Sequence, residues 1–435
     1  MKNHLLIGIL FVQVSVIAQS DKIKVYFNNS VNNSASPITN AINIDDFKDT
    51  IIAYINRAQT TLDVCNYNTN EIDIVNAVNA AQQRGVTVRY VGSYNNGTNN
   101  GEINNLTVPL IQRPDNEAMH NKFIISDVGS TSKASVLTGS ANHTSGSLAD
   151  DYNNIVIIQD QALAQAYTTE FEEMWGSTTT TPNPTNAKFG PNKTDNTTHN
   201  FIVDGVSIEL YFSPSDNTNT NIINAINTAT SDLSFAMLTF TNNDLGDAII
   251  ARKQAGVEVR GVIHNSSYFG SEYNSLLNAG VDVASTQTNF SQIMHHKYCV
   301  IDATNIASDP LVITGSHNWS NSANEDFDEN TLIIHDPYIA GQYYEEFMAR
   351  RPVSIDEELR SKFNIYPTVI TDGKLNIKGD LSTIKQVAIY DINGKNIVNK
   401  LAANQVIFLS YLSKGQYFLE LTTDSGEVSY PFIKK

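Results

Sequence analysis

One short polar phrase occurs twice in this chain at identical spacing, and that constrains the fold to two similar halves sharing one composite site. The first copy is His120-Asn121-Lys122, four residues, Asp127, and then Gly139-Ser140-Ala141-Asn142. The second is His295-His296-Lys297, four residues, Asp302, and then Gly315-Ser316-His317-Asn318. In each copy the lysine opens an apolar run, Phe123-Ile124-Ile125 or Tyr298-Cys299-Val300-Ile301, that reads as a strand. Histidine and lysine, two apart, then project from one face of it. A full charge, neutral amide and hydroxyl donors, and a group that titrates near neutrality form a set suited to an anion. A lone His-x-Lys is more often a solvated strand face, and a lone Gly-Ser-x-Asn more often a turn. Shared order and spacing in both copies argue against that reading.

The duplication extends beyond the motifs. Lys24-Val25-Tyr26-Phe27 echoes Glu209-Leu210-Tyr211-Phe212, Gly85 to Arg89 echoes Gly256 to Arg260, and Glu170-Phe171 echoes Glu346-Phe347. Each copy is about 150 residues long. Thr61 to Cys65 reads as a strand, Asp73 to Arg84 as a helix with Ile74, Ala77, Val78 and Ala81 on one face, and Val86 to Val91 as the next strand. Asp232 to Phe240, Asp244 to Gln254 and Val257 to Ile263 repeat the order. Strand, helix, strand predicts α/β units on a largely parallel sheet. Residues 177–200, with the run Ser177 to Pro184, lack apolar content and read as a linker.

These residues resemble the phospholipase D superfamily, whose signature is His-x-Lys-x4-Asp followed by Gly-Ser-x-Asn. The resemblance implies an α/β fold of two α/β/α sandwich halves, residues 22–176 and 201–350, with one active site between them. It also implies metal-independent phosphodiester cleavage through a phosphohistidine, with no cofactor. The catalytic set it implies is His120, Lys122, Asp127, His295, Lys297, Asp302 and Glu329, with Ser140, Asn142, Ser316 and Asn318 binding substrate. One departure stands out. Thirteen residues after the motif serine the family often has a glutamate that orients a catalytic histidine; Glu329 fits, whereas the first half has Asn153. The two rings are therefore expected to sit in unequal fields, with Asp150 and Asp151 near enough to replace the missing carboxylate.

After Arg351 the pattern changes to short alternating strands between turns, which predicts a small β-sandwich over 363–435. Asn364-Ile365-Tyr366-Pro367, Val387 to Lys395, Leu412 to Tyr417 and the terminal Phe432-Ile433-Lys434-Lys435 resemble the carboxy-terminal sorting domain of type IX secretion substrates. That resemblance implies the type IX secretion machinery as a partner, and a protein that is secreted or displayed at the cell surface. At the other end, Lys2 precedes an apolar run from Leu5 to Ile17 that ends at Ala18. Residues 1–18 are read as a signal peptide, and no later run is long enough to span a bilayer. Cys65 and Cys299 are read as buried free thiols, although the compartment allows a disulfide.

The formal net charge of −17 opposes a broad polyanion surface. Arg113 and Lys133 are the candidate cations near the first motif. Phospholipid hydrolysis therefore ranks first, nucleic-acid hydrolysis second, with phosphatidyl transfer to an alcohol as a further alternative. No metal-ligand spacing emerges, since adjacent His295 and His296 face opposite ways on a strand.

Overall fold

The first half runs β1 (Ile23–Phe27), α1 (Phe47–Arg57), β2 (Thr61–Asn66), α2 (Ile72–Gln83), β3 (Thr87–Gly92), β4 (Leu110–Gln112), β5 (Lys122–Ser126), β6 (Ser135–Gly139), β7 (Asn154–Ile158) and α3 (Gln161–Trp175). The second runs β8 (Asn200–Val203), β9 (Val206–Ser213), α4 (Thr218–Asn227), β10 (Asp232–Met237), α5 (Asn243–Gln254), β11 (Glu258–Ile263), α6 (Tyr273–Asn278), β12 (Asp282–Ser285), β13 (Lys297–Ile301), β14 (Leu311–Gly315), α7 (Asn321–Glu325), β15 (Glu329–His335) and α8 (Pro337–Arg350). This computed structural model describes residues 19–94, 98–115, 117–286, 292–351, 362–371, 373–392, 395–401, 406–424 and 426–435. The expected signal peptide, residues 1–18, lies outside them.

Equivalent helices start on equivalent caps. The Asp160 carboxylate accepts from Leu163 N at α3, and Asp336 does the same from Ile339 N at α8, which satisfies an amide the first turn leaves open. The sheets repeat as well. Their strand orders are β1-β7-β6-β5-β2-β3-β4 and β12-β11-β10-β13-β14-β15-β9-β8, the same arrangement with β8 added at one edge.

The largely parallel sheet expected from strand-helix-strand order does not hold. In the first sheet β2 with β3 and β3 with β4 pair in parallel, whereas β1 with β7, β7 with β6, β6 with β5 and β5 with β2 are antiparallel; in the second, β10 with β11 and β11 with β12 are the parallel pairs. A strand buried on both faces is apolar whichever way it runs, so its residues carry no record of direction.

Three apolar clusters set the layers. α1 and α2 pack on one face of the first sheet through Phe47, Ile51, Ile74 and Val78 against Leu62, Val64 and Ile124. α4 and α5 cover the second sheet through Ile222, Ile226, Leu245 and Ile249 against Leu233 and Phe235. Between the sheets lies one shared core: Tyr167, Phe171 and Trp175 of α3, Tyr343 and Phe347 of α8, and Phe123, Val156, Phe212, Tyr298 and Leu332 of the strands. The predicted linker belongs to this body. Phe189, Gly190 and Lys193 are buried, and the Lys193 ammonium pairs with Glu170 and lies 3.3 Å from Asp328. Few apolar residues sufficed, because its anchors are polar. Cys65 and Cys299 are both buried and free.

A separate unit contains β16 (Asn364–Tyr366), β17 (Val369–Ile370), β18 (Lys374–Lys378), β19 (Ile384–Asp391), β20 (Asn396–Leu401), β21 (Val406–Phe408), β22 (Gly415–Thr423) and β23 (Gly426–Lys434). Sheets β16-β18-β21 and β17-β23-β22-β19-β20 enclose Ile365, Leu375, Ile377, Val387, Ile389, Leu419, Leu421 and Phe432. Alternate residues of β22 point inward, as its period-two pattern requires.

Candidate active site

Both motif lysines open a strand at the edge where the halves meet. Phe123 pairs with Thr138 and Cys299 with Ile313, which brings Lys122 level with Gly139 and Lys297 level with Gly315. Each motif glycine has a positive φ, 155° and 137°, and a Cβ there would lie 2.2 Å from the Asn154 carbonyl or 2.3 Å from that of Asn330. Only glycine permits that approach.

The halves cross-stitch. His120 N donates to the Asp328 carbonyl and His295 N to that of Tyr152, both at 2.9 Å. Each histidine therefore meets the other half's residue thirteen after the motif serine. Glu329 Oε1 lies 2.8 Å from His120 Nδ1, off the line of the ring N–H. Asn153 Oδ1 lies 2.8 Å from His295 Nδ1. Asp151 does not replace the missing carboxylate, since its Oδ1 accepts from Ile293 N at 3.3 Å.

Ser140 Oγ donates to Asn153 Oδ1 at 2.7 Å and Ser316 Oγ to Glu329 Oε2 at 2.6 Å, with both serines fully buried. Through these bonds they hold the histidine partners. Asp127 and Asp302 lie apart from the histidine-lysine pairs. Each follows the far end of its motif strand, roughly 16 Å from the lysine end. Asp127 sits at φ 52°, and its carboxylate accepts from the Gln59, Thr60 and Thr61 amides and the Thr60 hydroxyl. Asp302, at φ 53°, does the same with Thr230, Ser231 and Asp232. Burial pushes the Asp127 carboxyl up, but those donors outweigh it and hold the group below its usual range.

Asn142 Oδ1, Asn318 Oδ1, His143 Nδ1 and both His317 ring nitrogens are buried polar atoms without a partner. Such atoms cost free energy unless something polar meets them. The lysines are under similar pressure. Lys122 and Lys297 are 3% and 2% exposed; the Lys122 ammonium donates to the His120 carbonyl at 2.6 Å, and that of Lys297 to the His295 carbonyl at 2.7 Å with His295 Nδ1 at 3.4 Å. Burial drives the Lys122 ammonium down to about 7 against the pull of Glu329. Burial and then the charge of Lys122 hold Lys297 well below its normal value. Burial followed by the two lysines keeps both His120 and His295 largely neutral, and burial pushes Glu329 up to about 7. Burial thus holds the lysines and histidines short of full charge, and an entering anion favours their charged forms.

Several participants carry no motif signal. Asn330 Nδ2 donates to Asn121 Oδ1 at 2.9 Å while its Oδ1 accepts from Thr138; Asn154 Nδ2 meets His296 Nδ1 at 3.1 Å while its Oδ1 accepts from Thr314. Their one sequence signal is position, fourteen residues after each motif serine. His296 turns away from the site to Glu346, at 2.9 Å, as strand alternation predicts. Tyr67 lies against the His120 ring at 4.6 Å and under the Lys122 ammonium at 5.2 Å. Arg113 is buried on Asp328 at 2.9 Å, and Lys133 is bound to Gln59 at the Asp127 end, so neither offers a basic track. Among the described residues, one trio with metal-ligand geometry occurs, Asp195, His199 and Asp216, and it includes no motif residue.

Residues 51–175 and 222–351 match the family described as cardiolipin synthase, PLD-like domain, and residues 364–435 match the secretion system C-terminal sorting domain. The mitochondrial cardiolipin hydrolase of Xenopus tropicalis is 37% identical over 118 residues, 26% of this chain and 52% of that protein. That of Homo sapiens is 32% identical over 129 residues, 29% of this chain and 48% of that one. The chain thus spans about half the length of the curated relatives it matches. The phosphatidylserine synthase of Haemophilus influenzae superposes with a TM-score of 0.51 at 14% identity, covering 76% of this chain and 86% of that one, a likeness of fold.

Proposed function

This chain belongs to the phospholipase D superfamily, and we propose on that premise that it is an exported phosphodiesterase that hydrolyses phospholipids through a phosphohistidine. The observation that carries the reading is that two histidines and two buried lysines, one pair from each half, lie near enough to perturb one another's charge. In the proposed reaction the substrate's negative charge offsets the two lysines and lets His295 take up a proton; His120 Nε2 then attacks phosphorus while His295 protonates the departing alkoxide. The P–O bond to the leaving group breaks as the N–P bond forms. Water, deprotonated by His295, then displaces His120. Glu329 suits His120 to the nucleophile's role, because the ring gains positive charge when it is phosphorylated. Asn153 suits His295 to the acid's role, since a neutral amide orients the ring without stabilising its cation. Lys122, Lys297, Asn142 and Asn318 hold the non-bridging oxygens.

Phospholipid is preferred over nucleic acid because Arg113 and Lys133 are unavailable and the net charge is −17. Relatives named for cardiolipin hydrolysis support the same choice. The sorting domain supports export by the type IX machinery. The test supplies purified protein with phosphatidylcholine, phosphatidylethanolamine, cardiolipin, and single- and double-stranded DNA, each with chelator present. Lipid cleavage that survives EDTA and disappears in both His120→Ala and His295→Ala is expected. Cleavage of DNA alone would overturn the substrate, and near-normal turnover by either variant would overturn the two-histidine chemistry.

A further inference from the structure

The loops flanking the site contain no cation. From Val91 to Gln112 and from His264 to His296 the sequence has neither lysine nor arginine. Besides Leu277 on α6, those same stretches hold four large apolar side chains out in water: Tyr94 at 47% exposure, Tyr268 at 55%, Ile293 at 43%, and Phe269 completely. A scattered exposed apolar residue is ordinary, but a group around a polar mouth points to a partner surface.

All four lie at the active-site end. Asn66 pairs with both Gly92 and Lys122, so Tyr94, two residues beyond Gly92, leaves β3 at the end where β5 begins. Asn265 N donates to the Leu238 carbonyl and Leu238 N to that of His296, which ties the Tyr268-Phe269 turn to the second motif. Ile293 precedes His295 by two residues, and its carbonyl accepts from Tyr152 N. One half contributes Tyr94 and the other contributes the remaining three.

We infer that this rim seats the protein on an electrically neutral lipid–water interface, so that a zwitterionic phosphodiester enters the site without crossing bulk water. Phenylalanine and isoleucine enter the acyl boundary, while tyrosine places its ring there and its hydroxyl among headgroups. Anionic membranes and nucleic acid are poor partners for a rim without cations on a chain of net charge −17. The inference rests on the proposed phospholipid substrate and adds how that substrate is reached.

The test is flotation of the full chain with phosphatidylcholine vesicles and with phosphatidylserine-rich vesicles, beside turnover on vesicle lipid and on soluble bis(p-nitrophenyl) phosphate. The double variant Tyr268→Ser, Phe269→Ser should lower partition to phosphatidylcholine by about tenfold or more, since each large apolar side chain withdrawn from water counts for roughly that factor. Its vesicle turnover should fall in parallel and its soluble-diester turnover stay unchanged. Tyr94→Ser reads the opposite half independently, and circular dichroism verifies the fold of each variant. Unchanged partition, equal loss on the soluble diester, or preference for anionic vesicles would overturn the inference. Vesicle binding without lipid cleavage would uphold the rim and sink the substrate reading instead.

Discussion

Lys122 and Lys297 are where function and stability oppose each other. An ammonium held at about 7, against an ordinary value near 10.5, means the folded chain binds fewer protons than the unfolded one between those values. Stability contributed by this group therefore rises with pH across that window and is lowest below about pH 7. Lys122→Met should raise the thermal midpoint by a few degrees at pH 7, about 1–3 kcal/mol, while turnover falls on the order of 10² or more. Melting curves beside kinetics test this, and a methionine variant less stable than its parent would contradict it. The unequal histidine partners give a second expectation. Glu329 favours the imidazolium of His120, so Glu329→Gln should move that limb of the kcat/KM pH profile to lower pH, whereas Asn153→Asp should move the limb of His295 upward. The limbs belong to a coupled pair, so the two shifts need not match. Limbs that stayed in place in Glu329→Gln would detach the carboxylate from His120.

At the scale of the strand, the motif spacing joins two different tasks. β5 and β13 each carry the motif lysine at one end and are followed at the other by an aspartate that pins the turn before β2 or β10. Asp127→Asn or Asp302→Asn should cost about 1–3 kcal/mol, because a carboxylate accepting several buried N–H and O–H donors is replaced by a weaker acceptor. The folded pKa of each is depressed, so its contribution is present above the unfolded value and is lost as pH falls through the folded one. Turnover per folded molecule should stay near normal, in contrast with His120→Ala. Chemical denaturation with activity measured on the native fraction decides it, and a large loss of kcat at full folding would return these residues to the reaction. The spacing alone does not separate the tasks. His-x-Lys-x4-Asp reads as one unit, although roughly five strand residues put its ends far apart.

For the whole molecule, both motifs, their partners and the shared core lie within the unit ending at Arg351. A chain stopped there should keep the turnover of the full chain, while export should require residues 364–435. Mass spectrometry of protein from the cell surface or medium should find the first 18 or so and the last seventy or so residues gone. An intact carboxy-terminus in the cytoplasm would defeat the sorting reading. The sequence by itself determined the duplication, the α2 face of Ile74, Ala77, Val78 and Ala81, the motif glycines and the histidine-lysine pairs, because each is a matter of local periodicity or spacing. Only the tertiary structure decided which carboxylate or amide serves which ring, since Glu329 reaches His120 and Asn153 reaches His295 across the boundary between halves. It also decided strand direction, the docking of Lys193 and the burial of Arg113. A repeat tells a chain that it has two equal faces, but the exchange of partners across them depends on contacts between residues far apart in sequence, which no spacing records.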